Sequence, residues 1–508
     1  MELSAWIDRH ADFTPDKTAL HYEGRAISYG DFAAMIHGHA RALKGVYGIG
    51  RGDRVAYLGL NSPEFLALMF ACARLGALFI PLNWRLAAPE HVFILKDAHA
   101  KALFCEAEFR EHAKSMRAEL PDCDFVSCGF EGEGWQPLAV ALATAEGDDR
   151  NPHVDLKTPL LLVYTSGTTG HPKGAVLTQE AVQWNALNSL HMHGLTAADH
   201  VLTALPMFHV GGLNIQTTPA LYAGATVTLH RKFDPRAVLS DIVSRRPSLI
   251  VLVPATIDAV LSLPEWPEAD ISSLRSVSTG SSYVPVPLIE AIHARGIPVL
   301  QVYGSTETCP IAIYQRAEDA FETVGSTGKP ALHCEIRVVD EAGRDVPAGT
   351  SGEILVRGPS VMYEYWGNEA ATEQSLRDGW FFTGDIGYRE ENGYYFINDR
   401  KKDVVISGGE NIYPAELEVV LNGMAEVKQA AVVGRDDEKW GQVPVAVVVR
   451  TEGASIDKQT ILDRFNGVLA RFKHPKDVVF IDAMPTNVMG KIQKFALRTH
   501  VNDSYLVK

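Results

Sequence analysis

The stretch Thr165-Ser166-Gly167-Thr168-Thr169-Gly170-His171-Pro172-Lys173-Gly174 combines three kinds of group suited to holding phosphate. Glycines let a backbone come close to a ligand, the hydroxyls of Thr165, Ser166, Thr168 and Thr169 supply donors, and Lys173 adds a cation. Runs of backbone N–H groups form concave anion sites. The same composition also describes a solvated linker. Position favours the first reading: the apolar run Leu160-Leu161-Leu162-Val163-Tyr164 leads into the loop, so it leaves the end of a buried strand, where α/β sheets place ligands. Lys173 is followed by glycine rather than Ser or Thr, unlike a P-loop, and Gly174-Ala175-Val176-Leu177 reads as another strand, with a helix only after Thr178. No helix N-terminus receives the phosphate, so a nucleotide fold of another kind is expected.

This loop resembles the signature of the adenylate-forming superfamily, which includes acyl-CoA synthetases, aryl-CoA ligases, luciferases and the adenylation domains of peptide synthetases. Further motifs follow in that family's order over nearly the whole chain, and the acyl-CoA synthetase branch fits best. A carboxylate is a stabilised anion without a good leaving group, and transfer to AMP solves this if charge is neutralised at the α-phosphate. The resemblance implies that residues 165–173 cradle the β- and γ-phosphates of ATP. In Tyr303-Gly304-Ser305-Thr306-Glu307 it implies an adenine-stacking Tyr303, Gly304 beside the acyl carbonyl, Thr306 at the nucleotide and Glu307 on Mg²⁺, with Thr165 a second metal contact. Gly280-Ser281-Ser282 matches the adenine segment, with Tyr283 where many relatives have proline. Asp385 and Arg400 match the ribose contacts, a carboxylate accepting from both hydroxyls and a guanidinium donating, although Asp399 replaces the usual glycine before the arginine.

Pro206-Met207-Phe208-His209-Val210-Gly211-Gly212 resembles an acyl-gate motif, in which His209 orders the pocket and screens the reacting carboxylate. Gly408 and Gly409 resemble the lining of a pantetheine tunnel. Trp440 and Phe472-Lys473-His474-Pro475-Lys476 suit the CoA nucleotide, or equally a solvated basic face. Lys491 in Pro485-Thr486-Asn487-Val488-Met489-Gly490-Lys491 matches the lysine that bridges carboxylate and α-phosphate, and Lys402 matches the family's hinge.

These groups need a frame, and the chain supplies a regular one. Strand and helix patterns alternate, with strands expected at 55–60, 77–82 and 101–105 and helices at 63–76 and 89–98. The rhythm returns at 225–229, 249–253 and 299–303, so two α/β halves with parallel sheets are expected. Short antiparallel strands at 335–339, 353–356 and 393–397 indicate a small β-subdomain. A helix from Pro414, strands at 429–433 and 443–449 and a helix from Asp457 indicate an α+β tail. The expected fold class is α/β, and the resemblance implies an N-terminal adenylation domain at 1–400, a hinge at 401–403 and a mobile C-terminal domain at 404–508.

With 508 residues, 46% hydrophobic and 21% charged, the composition is that of a globular enzyme of several domains. A net charge of -15 disfavours general binding to nucleic acid or an anionic membrane. The six cysteines lack Cys-x-x-Cys spacing, which suggests reduced thiols and a cytoplasmic setting. The apolar span 65–82 is interrupted by Arg74 and Gly76 and reads as a buried helix followed by a strand rather than an integral membrane segment.

The expected reaction is ATP-dependent ligation of an acid to CoA. Residues 207–215 contain no aspartate to pair with an α-amino group, and residues 210–215, 251–257 and 308–313 contain no Lys or Arg. An apolar fatty or aryl monocarboxylate is therefore expected. A luciferase-like oxygenase and a carrier-protein-loading enzyme remain alternatives, and the oligomeric state, a homodimer included, is left open.

Overall fold

The computed structural model describes residues 2–165, 172–281, 284–400, 403–407, 410–437, 440–466, 468–469, 471–486 and 491–506, with backbone alone at 399–400, 410–411, 472 and 504–506. Two large sheets dominate the N-terminal part. The first has eight strands in the order Glu364–Tyr365, Lys173–Thr178, Pro159–Thr165, Leu78–Pro81, Arg54–Leu58, Ala102–Glu106, Asp124–Cys128 and Gln136–Pro137. Its centre is parallel, but Pro159–Thr165 and Lys173–Thr178 form an antiparallel hairpin. The hairpin is the strand–loop–strand expected for the phosphate segment, followed by the helix Gln179–His193. Among the described residues of this hairpin none forms a helix N-terminus facing the loop.

The second sheet has nine strands, including His200–Thr203, Thr226–Leu229, Leu249–Val251, Ser276–Gly280 and Val299–Tyr303 in parallel. Its far edge is formed by Thr18–Tyr22, parallel to Thr226–Leu229, with Arg25–Ser28 beside it. The start of the chain thus joins the second sheet rather than the first, a pairing for which the sequence holds no local signal.

Local chemistry explains the central elements. The helix Pro63–Leu75 begins with Ser62 accepting from the Phe65 N–H, has proline in its first turn, and ends at Gly76 with φ 78°. Nearly all its side chains are buried, as the uninterrupted apolar run requires. Arg74 is the exception in kind: its guanidinium is buried and meets Asp8 at 2.8 Å and Asp149 at 3.2 Å, tying the first helix, Ala5–Phe13, to the core. Burial alone raises the Asp8 carboxyl, but hydrogen bonds from His37 and Arg74 prevail and hold it at about 2. Removing one member of such a buried cluster costs about 3–5 kcal/mol.

A small antiparallel sheet follows, built from Glu335–Val339, Gly352–Arg357, Trp380–Arg389, Leu376–Arg377 and Tyr395–Arg400. The ten-residue strand Trp380–Arg389 has no clean alternation of burial, which is why its pattern does not announce it. The tail carries its own five-stranded sheet around Val427–Asp437 and Gly441–Arg450, with the helix Pro414–Asn422 against it and a separate core of valines and leucines. The protein is thus mixed α/β, with a large N-terminal domain and a smaller C-terminal one. The six cysteines are free thiols. Among the described residues no helix is long and apolar enough to cross a membrane.

Candidate active site

The ends of the two large sheets bring most of the described candidates together. Thr165 and Lys173 are cross-strand partners at the mouth of the hairpin, so the loop between them opens where the strands end. Ser166, Gly167, Thr168, Thr169 and Gly170 lie outside the described residues, as do Ser282, Lys402, Gly408 and Gly409. The hairpin is braced at its base, where the Tyr164 hydroxyl donates to Asp97 Oδ2 at 2.5 Å.

The strand Glu364–Tyr365, which carries no recognisable signal of its own, closes the outer side of this hairpin. Tyr365 pairs with Ala175 and Glu364 with Val176, and the Trp366 N–H donates to the Gly174 carbonyl at 2.7 Å. The Tyr365 hydroxyl donates to Glu307 Oε1 at 2.8 Å, while Lys173 Nζ stands 5.2 Å from the centre of its ring. One side chain therefore connects the loop's lysine to the carboxylate four residues beyond Tyr303. The Glu307 backbone carbonyl also accepts from the Met362 N–H at 2.7 Å.

Tyr303 ends the strand Val299–Tyr303, and its hydroxyl donates to Asp385 Oδ2 at 2.7 Å. Asp385 is buried and lies directly across the ladder from Arg400, whose side chain is outside the described residues. The Thr383 hydroxyl accepts from the Asp385 N–H and donates to the Ile354 carbonyl, fixing the strand locally. Thr306 begins the short turn that carries Glu307. Gly304 is required by the backbone itself: a Cβ there would lie 1.5 Å from the Pro310 carbonyl oxygen, so no side chain fits whatever the ligand. Gly280 is constrained in the same way by the Val302 carbonyl at 2.3 Å, and Ser281 beside it takes φ 73°.

His209 precedes a short helical turn and is held against Phe208, whose ring meets Trp84 edge-on at 6.4 Å. Burial, aided by the nearby Arg85 charge, pushes the imidazole down to about 4, so it is neutral near pH 7. Its Nε2 has no protein hydrogen-bond partner. Asn61, absent from the sequence-based candidates, positions this segment: its Oδ1 accepts from the Met207 N–H at 2.8 Å, and its Nδ2 donates to the Leu205 and His230 carbonyls. Ile215, Val251, Val253 and Ile311 then meet in one apolar cluster, uniting the three segments expected to form the acid pocket.

In the tail, Trp440 is 45% exposed at the turn between its two long strands. Lys473 is ion-paired to Glu416, so that cation is already engaged within the tail. Lys491 is exposed beside the Thr486–Ile492 bridge. Among the described residues no cluster of three or more His, Cys, Asp or Glu forms a ready metal cage. Glu307 is nonetheless an oxygen donor of the type Mg²⁺ takes, and Mg²⁺ on a nucleotide draws most of its ligands from phosphate and water.

The chain matches the model of the AMP-binding enzymes over residues 7–366 and that of the AMP-binding enzyme C-terminal domain over 416–491. An indoleacetate–CoA ligase of Aromatoleum aromaticum is 51% identical over 500 residues, 98% of each chain. A feruloyl-CoA synthase of Amycolatopsis is 40% identical over 497 residues, again 98% of each. The crystal structure of the anthranilate CoA ligase AuaEII with anthranoyl-AMP superposes with a TM-score of 0.92 at 27% identity, covering 100% of this chain and 98% of that one. A loop-bearing hairpin, a Tyr303–Asp385 pair and a Glu307–Tyr365–Lys173 bridge, carried on this two-part frame, are thus the work of a chain that belongs to the AMP-binding enzyme family.

Proposed function

We propose that this protein is an ATP-dependent acid–CoA ligase that activates an aromatic monocarboxylic acid as its acyl-adenylate and passes the acyl group to CoA. The observation that carries this reading is the convergence of Lys173, Tyr303 with Glu307, and Asp385 from three segments onto one strand end, with Tyr365 of a fourth bridging Lys173 and Glu307. Tyr303 and Asp385 hold the nucleoside, while the 165–173 loop and Lys173 hold its phosphates. Glu307, with Thr165 as a second contact, would hold Mg²⁺, which supplies charge neutralisation at the phosphates.

A carboxylate oxygen attacks the α-phosphorus, the bond to the β-phosphate oxygen breaks, and pyrophosphate leaves. Lys491 neutralises the meeting anions in this step. The CoA thiol then loses its proton and attacks the acyl carbonyl, and AMP departs as the C–O bond breaks. Neutral His209 screens the carboxylate end of the acid. Because Lys491 must reach the α-phosphate in the first step and the thiol must enter in the second, the 404–508 unit turns about Lys402 between two poses, a gating that shields the adenylate from water.

The preference for an aromatic monoacid is supported by the apolar cluster around Ile215, Val251 and Ile311 and by the acids named in the most identical relatives. Acid-dependent AMP formation with CoA, across aryl, fatty and dicarboxylic acids, tests it. Aryl monoacids should give AMP, pyrophosphate and thioester in equal amounts. A preference for malonate or succinate over monoacids of similar size would reject the pocket assignment, and light or carbon dioxide release from the adenylate would point to oxygenase chemistry.

A further inference from the structure

Four side-chain amides around the helical turn Leu213–Thr217 are completely buried: Asn185, Asn188, Asn214 and Gln216. Three of their carbonyl oxygens are taken. Asn185 Oδ1 accepts from the Ile311 N–H at 3.0 Å, Asn188 Oδ1 from the His333 N–H at 2.9 Å, and Asn214 Oδ1 from the Thr218 hydroxyl at 3.0 Å. Gln216 Oε1 alone has no hydrogen-bond partner in the protein. Leaving a buried acceptor unsatisfied is costly, so such an atom is a marker of a missing ligand or water.

The orientation of this amide follows from its neighbours. His193 Nδ1 lies 2.9 Å from the Ser189 carbonyl, an acceptor, so Nδ1 carries the proton and Nε2 is a lone pair. That lone pair faces the Ser278 hydroxyl at 2.8 Å and the Gln216 amide nitrogen at 3.2 Å. Rotating the amide by half a turn would set oxygen against a lone pair. The nitrogen therefore faces His193 and the Ser278 hydroxyl oxygen, the latter at 3.3 Å, and the oxygen faces away from both.

Gln216 follows Ile215, which packs with Val251, Val253 and Ile311 in a buried apolar cluster drawn from the three segments expected to form the acid pocket. It also lies seven residues beyond His209, whose Nε2 is the other orphaned polar atom of this segment. A helical path of that length covers roughly 10 Å, comparable to a bicyclic arylacetate or an arylpropenoate.

We infer that Gln216 Oε1 is a specificity determinant that accepts a hydrogen bond from a ring N–H or O–H at the end of the acid remote from its carboxylate. The assignment deepens the reading proposed above and rests on it. A site built to pair a substrate donor rejects an analogue lacking that donor, because its own acceptor is then left unpaired.

The test compares indole-3-acetate with 1-benzothiophene-3-acetate, which replaces N–H by sulfur at nearly the same shape, using kcat/KM for acid-dependent pyrophosphate release. Wild type should favour the N–H acid by at least about tenfold. Gln216→Met, similar in volume and lacking the amide, should bring the two acids within about twofold, with kcat/KM for the indole acid falling more than kcat/KM for the benzothiophene acid. Equal kcat/KM for the two acids on wild type, as expected if an internal water satisfies Gln216, overturns the inference without any variant, as does an unchanged preference in folded Gln216→Met. If no aryl acid supports pyrophosphate release at all, the ligase reading itself fails, and this is distinguishable from activation of both acids without discrimination.

Discussion

The nucleotide wall and the acid wall proposed for this site hold their principal side chains in different ways, although Ser305 Oγ on the nucleotide side is also buried without a hydrogen-bond partner among the described residues. On the nucleotide side, Tyr303 is bonded to Asp385, and Tyr365 joins Glu307 to Lys173, so the key side chains hold one another in place. On the acid side, His209 Nε2 and Gln216 Oε1 are buried without a protein partner. On the proposed reading, side chains that meet the nucleotide are preorganised by mutual bonds, which limits reorganisation during the reaction. Side chains that meet the acid are left incomplete, so that only a ligand of the right chemistry completes them.

The contrast is tested most severely at Glu307. Glu307→Gln should lower adenylation by about 10²–10³-fold, while reaction of supplied acyl-adenylate with CoA, which has already lost pyrophosphate, stays near wild type. Equal loss in both assays would place the carboxylate outside phosphate chemistry.

The next effect separates the two steps. Lys491→Ala should reduce adenylation by about 10²-fold and spare thioester formation from supplied adenylate. Lys402→Pro, which fixes φ and removes a donor at the proposed hinge, should do the reverse. Normal CoA turnover by folded Lys402→Pro would remove the hinge from Lys402.

A smaller change is expected at Tyr365. Tyr365→Phe keeps the ring beneath Lys173 but loses the bond to Glu307, worth about 1.5–3 kcal/mol for a charged acceptor. ATP affinity, read by isothermal titration with magnesium present, should fall roughly tenfold or more. Unchanged affinity would show that Glu307 is positioned without its partner.

The smallest effect is on stability. Burial holds His193 and His209 at about 4, below the ordinary 6.5. Between those values the unfolded chain binds protons that the folded protein does not, so stability is complete above about pH 6.5 and declines as pH falls towards 4. Moving from pH 7 to pH 5.5 should remove on the order of 1 kcal/mol per histidine, seen as a lower urea midpoint. An unchanged or higher midpoint would contradict their burial as neutral groups.

Much of the nucleotide wall is readable in the sequence, because its groups are contiguous. The strands that flank residues 166–171, the strand ending at Tyr303 and the Ser62-Pro63 helix start each carry their signal within a few residues, and each appears at or within a residue or two of its expected place. The tail's strands are likewise found, though longer than their apolar centres suggest. What escaped depends on distant partners. Thr18–Tyr22 gives no sign that it will lie beside Thr226–Leu229, and Tyr365 gives none that it will reach Glu307. Gln216 is illegible for another reason: a polar side chain in a local pattern reads as exposed, and only the packed fold reveals its burial. Gly304 is expected beside the acyl carbonyl, and the Pro310 carbonyl demands a glycine there independently of any ligand, a constraint that no local pattern reveals.

The short strand Glu364–Tyr365 also has a consequence for how the molecule is made. The hairpin strand Lys173–Thr178 is an open sheet edge until Tyr365 arrives opposite Ala175, roughly 190 residues later in the chain. During synthesis the first sheet therefore passes through a stage in which an apolar strand offers unpaired N–H and C=O groups to any neighbouring chain. Fragments ending before Met362 should share that exposed edge and aggregate through it, whereas fragments extending past Trp366 should not. Assembly of the proposed phosphate site and protection of the nascent chain are thus completed by the same two residues.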